Sequence, residues 1–262
     1  MAQTARGSVR RAYWKANDVP GLARDGVLRL QSGNLVKAKP SQPVDPRKRS
    51  DVHEGWIFAG EANKGVHHAL DAIAKVHGVP ADIKKADFHV TGSLGGANGM
   101  YHLDQSNKIQ VSKYSFGPAS TIAHEYGHYL DHNLFGNGSY GMHGLGTVKR
   151  SKELSGVMNA IYRSEAVKNL VKKADEHRDE GDQHGQRLTG YLLMSPELFA
   201  RSYAQYIGLR GSKQIHEETA AYGRAWKRHG YDAQWSDKDF EPIAREFDKL
   251  FARRRLSRVR QG

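Results

Sequence analysis

The stretch Thr121-Ile-Ala-His124-Glu125-Tyr-Gly-His128-Tyr-Leu-Asp131-His132 is where residue type and spacing in this chain could do chemistry. On a helix, residues four apart lie one turn apart on one face, so His124 and His128 can offer two imidazoles to one metal ion at the ~2.0–2.1 Å that zinc requires. Glu125, one step further round, cannot join that ligand pair comfortably, but it can hold a water on the ion and take its proton. Gly127 costs a helix about 1 kcal/mol relative to alanine, which calls for a compensating reason such as a close backbone approach near the metal. His132 stands eight residues from His124, ~12 Å of helical rise, too far to converge on the same ion. A third protein ligand must come from elsewhere in the chain. Asp131, on the same face one turn on, reads either as an acceptor for an imidazole N–H or as a plain solvent-facing acid.

The elements that must position these groups can be read from periodicity. Apolar residues recur at helical spacing from Ala62 to His77, where Gly78 and Pro80 supply a stop. Phe88 to Thr91, Met100 to Leu103 and Ile109 to Tyr114 are short β-rich segments, the last two joined by the turn formers Asp104 to Lys108, and they read as a small antiparallel sheet. The motif helix is expected from about Ala119 to Leu134, after Pro118 and before Gly136. The glycine-rich run Gly136 to Gly146 is loop, either a lid or a flexible surface loop. Helical patterns follow at Lys152 to Tyr162 and Ser164 to His177, then a charged break from Arg178 to Arg187. Ser195-Pro196-Glu197 is a helix N-terminus, with Ser as cap, Pro in the first turn and an acid favoured by the macrodipole. An amphipathic helix spanning Phe240 to Phe251 runs into an arginine tail.

Composition narrows the chemistry further. The 262 residues contain no cysteine, which excludes disulfide scaffolds, thiol catalysis and cysteine-ligated metal, so any metal must sit on His, Asp or Glu. No apolar run approaches the ~20 residues of a membrane span, and the N-terminus lacks the apolar stretch of a signal peptide. Lys and Arg outnumber Asp and Glu by 40 to 28, a net charge of +12 that attracts polyanions without conferring specificity. The excess is concentrated in Arg6, Arg10 and Arg11 at one end, and in Arg253, Arg254, Arg255, Arg258 and Arg260 at the other. The proline-containing stretch Lys37 to Asp51 reads as an extended linker. The expected organisation is a basic N-terminal arm and linker over 1–51, a folded domain over 52–251 and a basic tail over 252–262.

The motif His124-Glu125-x-Gly127-His128, followed by apolar residues and Asp131, together with the later helix Glu197-Leu-Phe-Ala-Arg201, resembles the gluzincin-type zincin metallopeptidases. It is most similar to lethal-factor-like peptidases and to the zincin domains of phage and mobile-element large polyvalent proteins. The metzincin arrangement is absent, since Asp131 and Leu134 stand where its glycine and third histidine would be. The resemblance implies an α+β zincin-like fold, with a small antiparallel or mixed sheet packed on the active-site helix and a mainly helical C-terminal half. It implies zinc as cofactor, His124, His128 and Glu197 as its ligands, and Glu125 as general base. A tyrosine shortly before the third ligand, here Tyr191 with Tyr203 as substitute, is then expected to donate a hydrogen bond to the oxyanion. The strand Ile109 to Tyr114 just upstream is expected to be the edge that binds an extended protein or peptide substrate by β-addition. The rival reading is a virion or DNA-associated phage protein with a structural or vestigial zinc site, located in the virion or host cytoplasm. Its basic termini would contact nucleic acid or virion proteins, with no role for membrane.

Overall fold

The computed structural model describes residues 60–256, apart from 79–82, 93 and 105. The expected N-terminal arm, its linker, Arg258 and Arg260 lie outside the described residues. The folded part is α+β with a small mixed sheet and a mostly helical body.

Helix α1, Gly60–Val76, buries Val66, Leu70 and Ile73 along one face. Three strands follow: β1, Asp87–Thr91; β2, Gly99–Tyr101; and β3, Lys108–Ser112. The sheet order is β1-β3-β2, with β1 parallel to β3 and β2 antiparallel to it. This corrects the expectation of an antiparallel sheet. The hairpin between β2 and β3 is antiparallel as its turn residues require, with Asn107 in the left-handed region at φ 55°. The third strand of that hairpin, however, inserts between the other two, so it runs alongside β1. It also corrects the edge: β3 is central, and the strand with a free side is β2.

Helix α2, Pro118–Asn133, carries the motif. Its N-cap, Gly117, has no side chain to offer, and the acceptor comes instead from Glu218, which takes the Ser120 N–H at 2.7 Å. After a loop come α3, Ser155–Arg163; α4, Glu165–Asp179; α5, Gln183–Leu192; α6, Ser195–Gly211; α7, Lys213–Lys227; and α8, Asp237–Arg253. Helix α5 begins inside the stretch read as a charged break, because Asp182 caps it by accepting the Gly185 N–H at 3.0 Å. Met194, not Ser195, is the N-cap of α6, and the Ser195 hydroxyl bonds Tyr162 of α3 at 2.7 Å.

The body is organised around α6, whose residues are buried without interruption from Pro196 to Gly208. A helix that is apolar all round has to be enclosed by others, and α2, α7 and α8 lie against it. Phe199, Tyr203 and Tyr206 interleave with Phe247 and Phe251 of α8. The crossing of α2 and α6 depends on Gly127. A Cβ there would stand 2.9 Å from Ala200 Cα and 3.3 Å from Tyr203 Cβ, so the two backbones meet where only hydrogen fits. This is the close approach that a glycine inside a helix calls for, and it sets the reach between the two halves of the site.

Candidate metal centre

His124 and His128 project from α2 one turn apart, with ring centroids 4.8 Å apart and planes nearly perpendicular. Glu197, in the first turn of α6, faces both. Its Oε1 lies 3.2 Å from His128 Nε2 and its Oε2 lies 3.5 Å from His124 Nε2. One ligand atom from each residue falls within 4.8 Å of the others, and among the described residues no other trio of His, Asp and Glu does so. Separations of 3.2 and 3.5 Å are close to the ~3.3 Å edge of a tetrahedron with metal–ligand bonds of ~2.0–2.1 Å. Glu197 Oε2 is also buried without a hydrogen-bond partner, a situation that proteins avoid unless something else satisfies the atom. Two imidazoles and a carboxylate are a donor set that a divalent ion satisfies. This buried group could hold a metal ion.

The electrostatics suit that use. Burial pulls Glu197 towards its neutral acid, but the neighbouring charges of His128 and His124 outweigh it and hold the carboxyl well below its ordinary range. Burial likewise opposes a charged His128, and the charge of Glu197 overrides it, raising the imidazole to about 9. Glu125 behaves differently: burial raises it above the usual carboxylate range, although His124, His128 and the Tyr101 backbone amide pull the other way. Its side chain is packed beside Gly99 of β2, where a Cβ would come within 2.9 Å of the Glu125 carboxylate.

The three metal-facing groups and Glu125 line a cleft of about 1340 Å³. One wall is β2 with its flanks, from Gly96 to Leu103. Along the β2–β3 ladder, Asn98, Met100 and His102 turn their backbone groups towards β3, with Ser112 N bonding Asn98 O at 2.8 Å and His102 N bonding Lys108 O at 2.9 Å. The alternation of an antiparallel ladder then aims the backbone groups of Gly99 and Tyr101 away from β3. Tyr191, from α5, lines the same cleft, and burial followed by the charge of Glu197 pushes its phenol well above the ordinary range.

Other sequence-derived candidates are placed elsewhere. Tyr203, the substitute for Tyr191, is fully buried and shares a 2.7 Å hydrogen bond with His77 Nε2, so it cannot face the cleft. Asp131 is fully buried, which overturns its reading as a solvent-facing acid. It accepts the Thr147 N–H at 2.8 Å and the Thr147 hydroxyl at 2.5 Å. Arg201 gives its guanidinium to the carbonyls of Leu192 and Ala233 and lies over the Trp235 ring. The glycine-rich loop is tied down at several points. Gly138 N bonds His132 O at 2.9 Å, Gly141 N bonds Leu103 O at 2.8 Å and Gly146 N bonds Asp131 O at 2.9 Å. Its middle, Tyr140 to His143, lines the cleft. At the C-terminal end, Arg254 pairs with Glu153 at 2.7 Å, so this arginine belongs to the folded body.

Two cleft residues went unread in the sequence. Tyr222, on α7, lines the cleft within range of the charges of Glu197 and Arg201, and Glu218 caps the motif helix. The signal was available: after the cap Ser212, the positions Ile215, Thr219, Tyr222 and Trp226 repeat at helical spacing. Comparison of the chain with protein-family models, with curated proteins and with solved structures finds no match.

Proposed function

We propose that this protein is a zinc-dependent metallopeptidase, with His124, His128 and Glu197 as the zinc ligands and Glu125 as the general base. The observation that carries the reading is the convergence of those three ligand atoms within 4.8 Å, across a helix crossing built for it, on the wall of an open cleft. Zinc bound there would supply Lewis acidity, which polarises a carbonyl and lowers the pKa of water to ~7.

The chain's own residues account for the rest. The outward backbone groups of Gly99 and Tyr101 on β2 can pair with an extended polypeptide laid along the cleft, as an added strand. Glu125 takes a proton from the attacking water as its oxygen bonds to the peptide carbon, then gives that proton to the amine as the C–N bond breaks. Burial lifts Glu125 towards neutral pH, which suits a group that must accept and return a proton. The Tyr191 hydroxyl donates to the oxygen on which charge develops. A mixed sheet with a short antiparallel edge strand beside the motif helix supports a zincin-like arrangement.

The test begins with metal content by plasma mass spectrometry, on protein purified without chelator or polyhistidine tag. Wild type should carry about one zinc per chain and His128→Ala none. Glu125→Gln should keep the zinc and hydrolyse a denatured protein substrate ~10²-fold or more slowly. A folded wild type that takes up no metal, or a Glu125→Gln variant that cleaves at the wild-type rate, overturns the assignment.

A further inference from the structure

Every methionine among the described residues lines one cavity. Met100 comes from β2, Met142 from the turn Met142–Gly144, Met158 from α3 and Met194 from the N-cap of α6. Four separate elements thus supply the same residue type to one surface. Met158 and Met194 are buried, while Met142 is half-buried. Met142, Met158 and Met194, with Leu145, Leu188 and Tyr162, wall the lobe of the cleft that adjoins Glu197. The lobe is braced rather than loose: Tyr162 of α3 bonds Ser195 of α6 at 2.7 Å, and Gly141 N bonds the Leu103 carbonyl at the exit of β2 at 2.8 Å.

Methionine is unbranched, with three rotatable bonds and a polarizable sulfur, and it adapts its shape to whatever apolar group it meets. A leucine or isoleucine wall fixes one pocket shape, whereas a methionine wall does not. From the placement of these residues beside the metal-facing groups and the free side of β2, we infer that the lobe is an adaptable subsite. It would take one large apolar side chain of a polypeptide substrate, accepting Leu, Met and Phe alike and refusing small or acidic ones. The inference rests on the metallopeptidase reading for its occupant. The backbone groups of Gly99 and Tyr101 hold a main chain in register, and a main chain so held must place a side chain in the lobe next to the scissile bond.

The experiment separates the two ideas by reading binding instead of turnover. Zinc-loaded full-length Glu125→Gln protein is titrated with dansylated pentapeptide amides that differ only at the central residue, X being Leu, Met, Phe, Ala or Asp, and binding is followed by fluorescence anisotropy. The Leu, Met and Phe peptides should bind within ~3-fold of one another and ~10-fold or more tighter than the Ala and Asp peptides, the ratio expected for burying a large apolar side chain. Adding Met158→Lys should abolish that margin and Met158→Leu should keep it. Met142→Lys, at a half-exposed turn position where folding tolerates charge, gives the same reading should Met158→Lys fail to fold. Equal affinity for all five peptides, no measurable binding of any, or an unchanged margin in Met142→Lys overturns the subsite. Zinc content and hydrolysis by wild type are measured alongside. A margin without zinc or cleavage keeps the subsite and removes the peptidase, and cleavage without a margin does the reverse.

Discussion

His132 lies on the motif helix but does other work. Its Nε2 faces the Ser139 carbonyl at 2.7 Å, so that nitrogen must carry the proton, and Nδ1 then accepts from the Tyr101 hydroxyl at 2.7 Å. The ring therefore joins three elements: the motif helix, the edge strand and the glycine-rich loop. Burial lowers its pKa below the ordinary 6.5. The folded state then binds a proton less readily than the unfolded chain. The stability this contributes is present above 6.5 and is lost as pH falls through 6.5 towards the depressed folded value. Wild type should accordingly melt at a lower temperature near pH 5.5 than near pH 7.5. In His132→Asn, which keeps a donor and an acceptor without a titrating ring, that difference should shrink. Calorimetry at the two pH values checks it, and an equal pH dependence in both proteins would show that His132 does not titrate on folding.

Among the elements, the decisive relation is the crossing of α2 and α6 at Gly127. Gly127→Ala drives a methyl group into the Ala200 backbone. Such overpacking costs ~1–3 kcal/mol, against the ~1 kcal/mol that alanine returns to a helix. The helices must part, and with them His128 and Glu197. Zinc affinity, measured by competition with a chromogenic chelator, should fall ~10-fold or more while the helical circular-dichroism signal persists. Unchanged affinity would mean that the crossing does not set the ligand spacing. How much of this was legible in the sequence follows the range of the interactions. The motif helix, the Pro196 start of α6 and the special status of Gly127 were legible because caps, prolines and helix glycines act within a few residues. That β3 is central and β2 the edge was not legible, because which strand inserts between the others is decided by pairing across the chain. Helix α5 was hidden by a polar surface whose one strong local signal is its Asp182 cap. The roles of Asp131 and Tyr203 were hidden too, since each is fixed by a distant partner, Thr147 in one case and His77 in the other.

For the molecule as a whole, a metal held between α2 and α6 binds the folded state and not the unfolded one, so it must add to stability by mass action. At zinc concentrations ~100-fold above its dissociation constant the gain is ~2.7 kcal/mol, worth roughly 5–10 °C in Tm for a domain of this size. A chelator should reverse the shift, and His128→Ala should show none in differential scanning fluorimetry. An equal shift in both proteins would place the zinc elsewhere. The division of the ligands along the sequence also sets a clock. His124 and His128 leave the ribosome well before Glu197, and Glu197 reaches them only when α6 has been made and has docked across Gly127. During its own synthesis the chain therefore holds two imidazoles without their carboxylate, and the complete centre comes into being only near the end of translation, when most of the polypeptide is already sheltered in the fold.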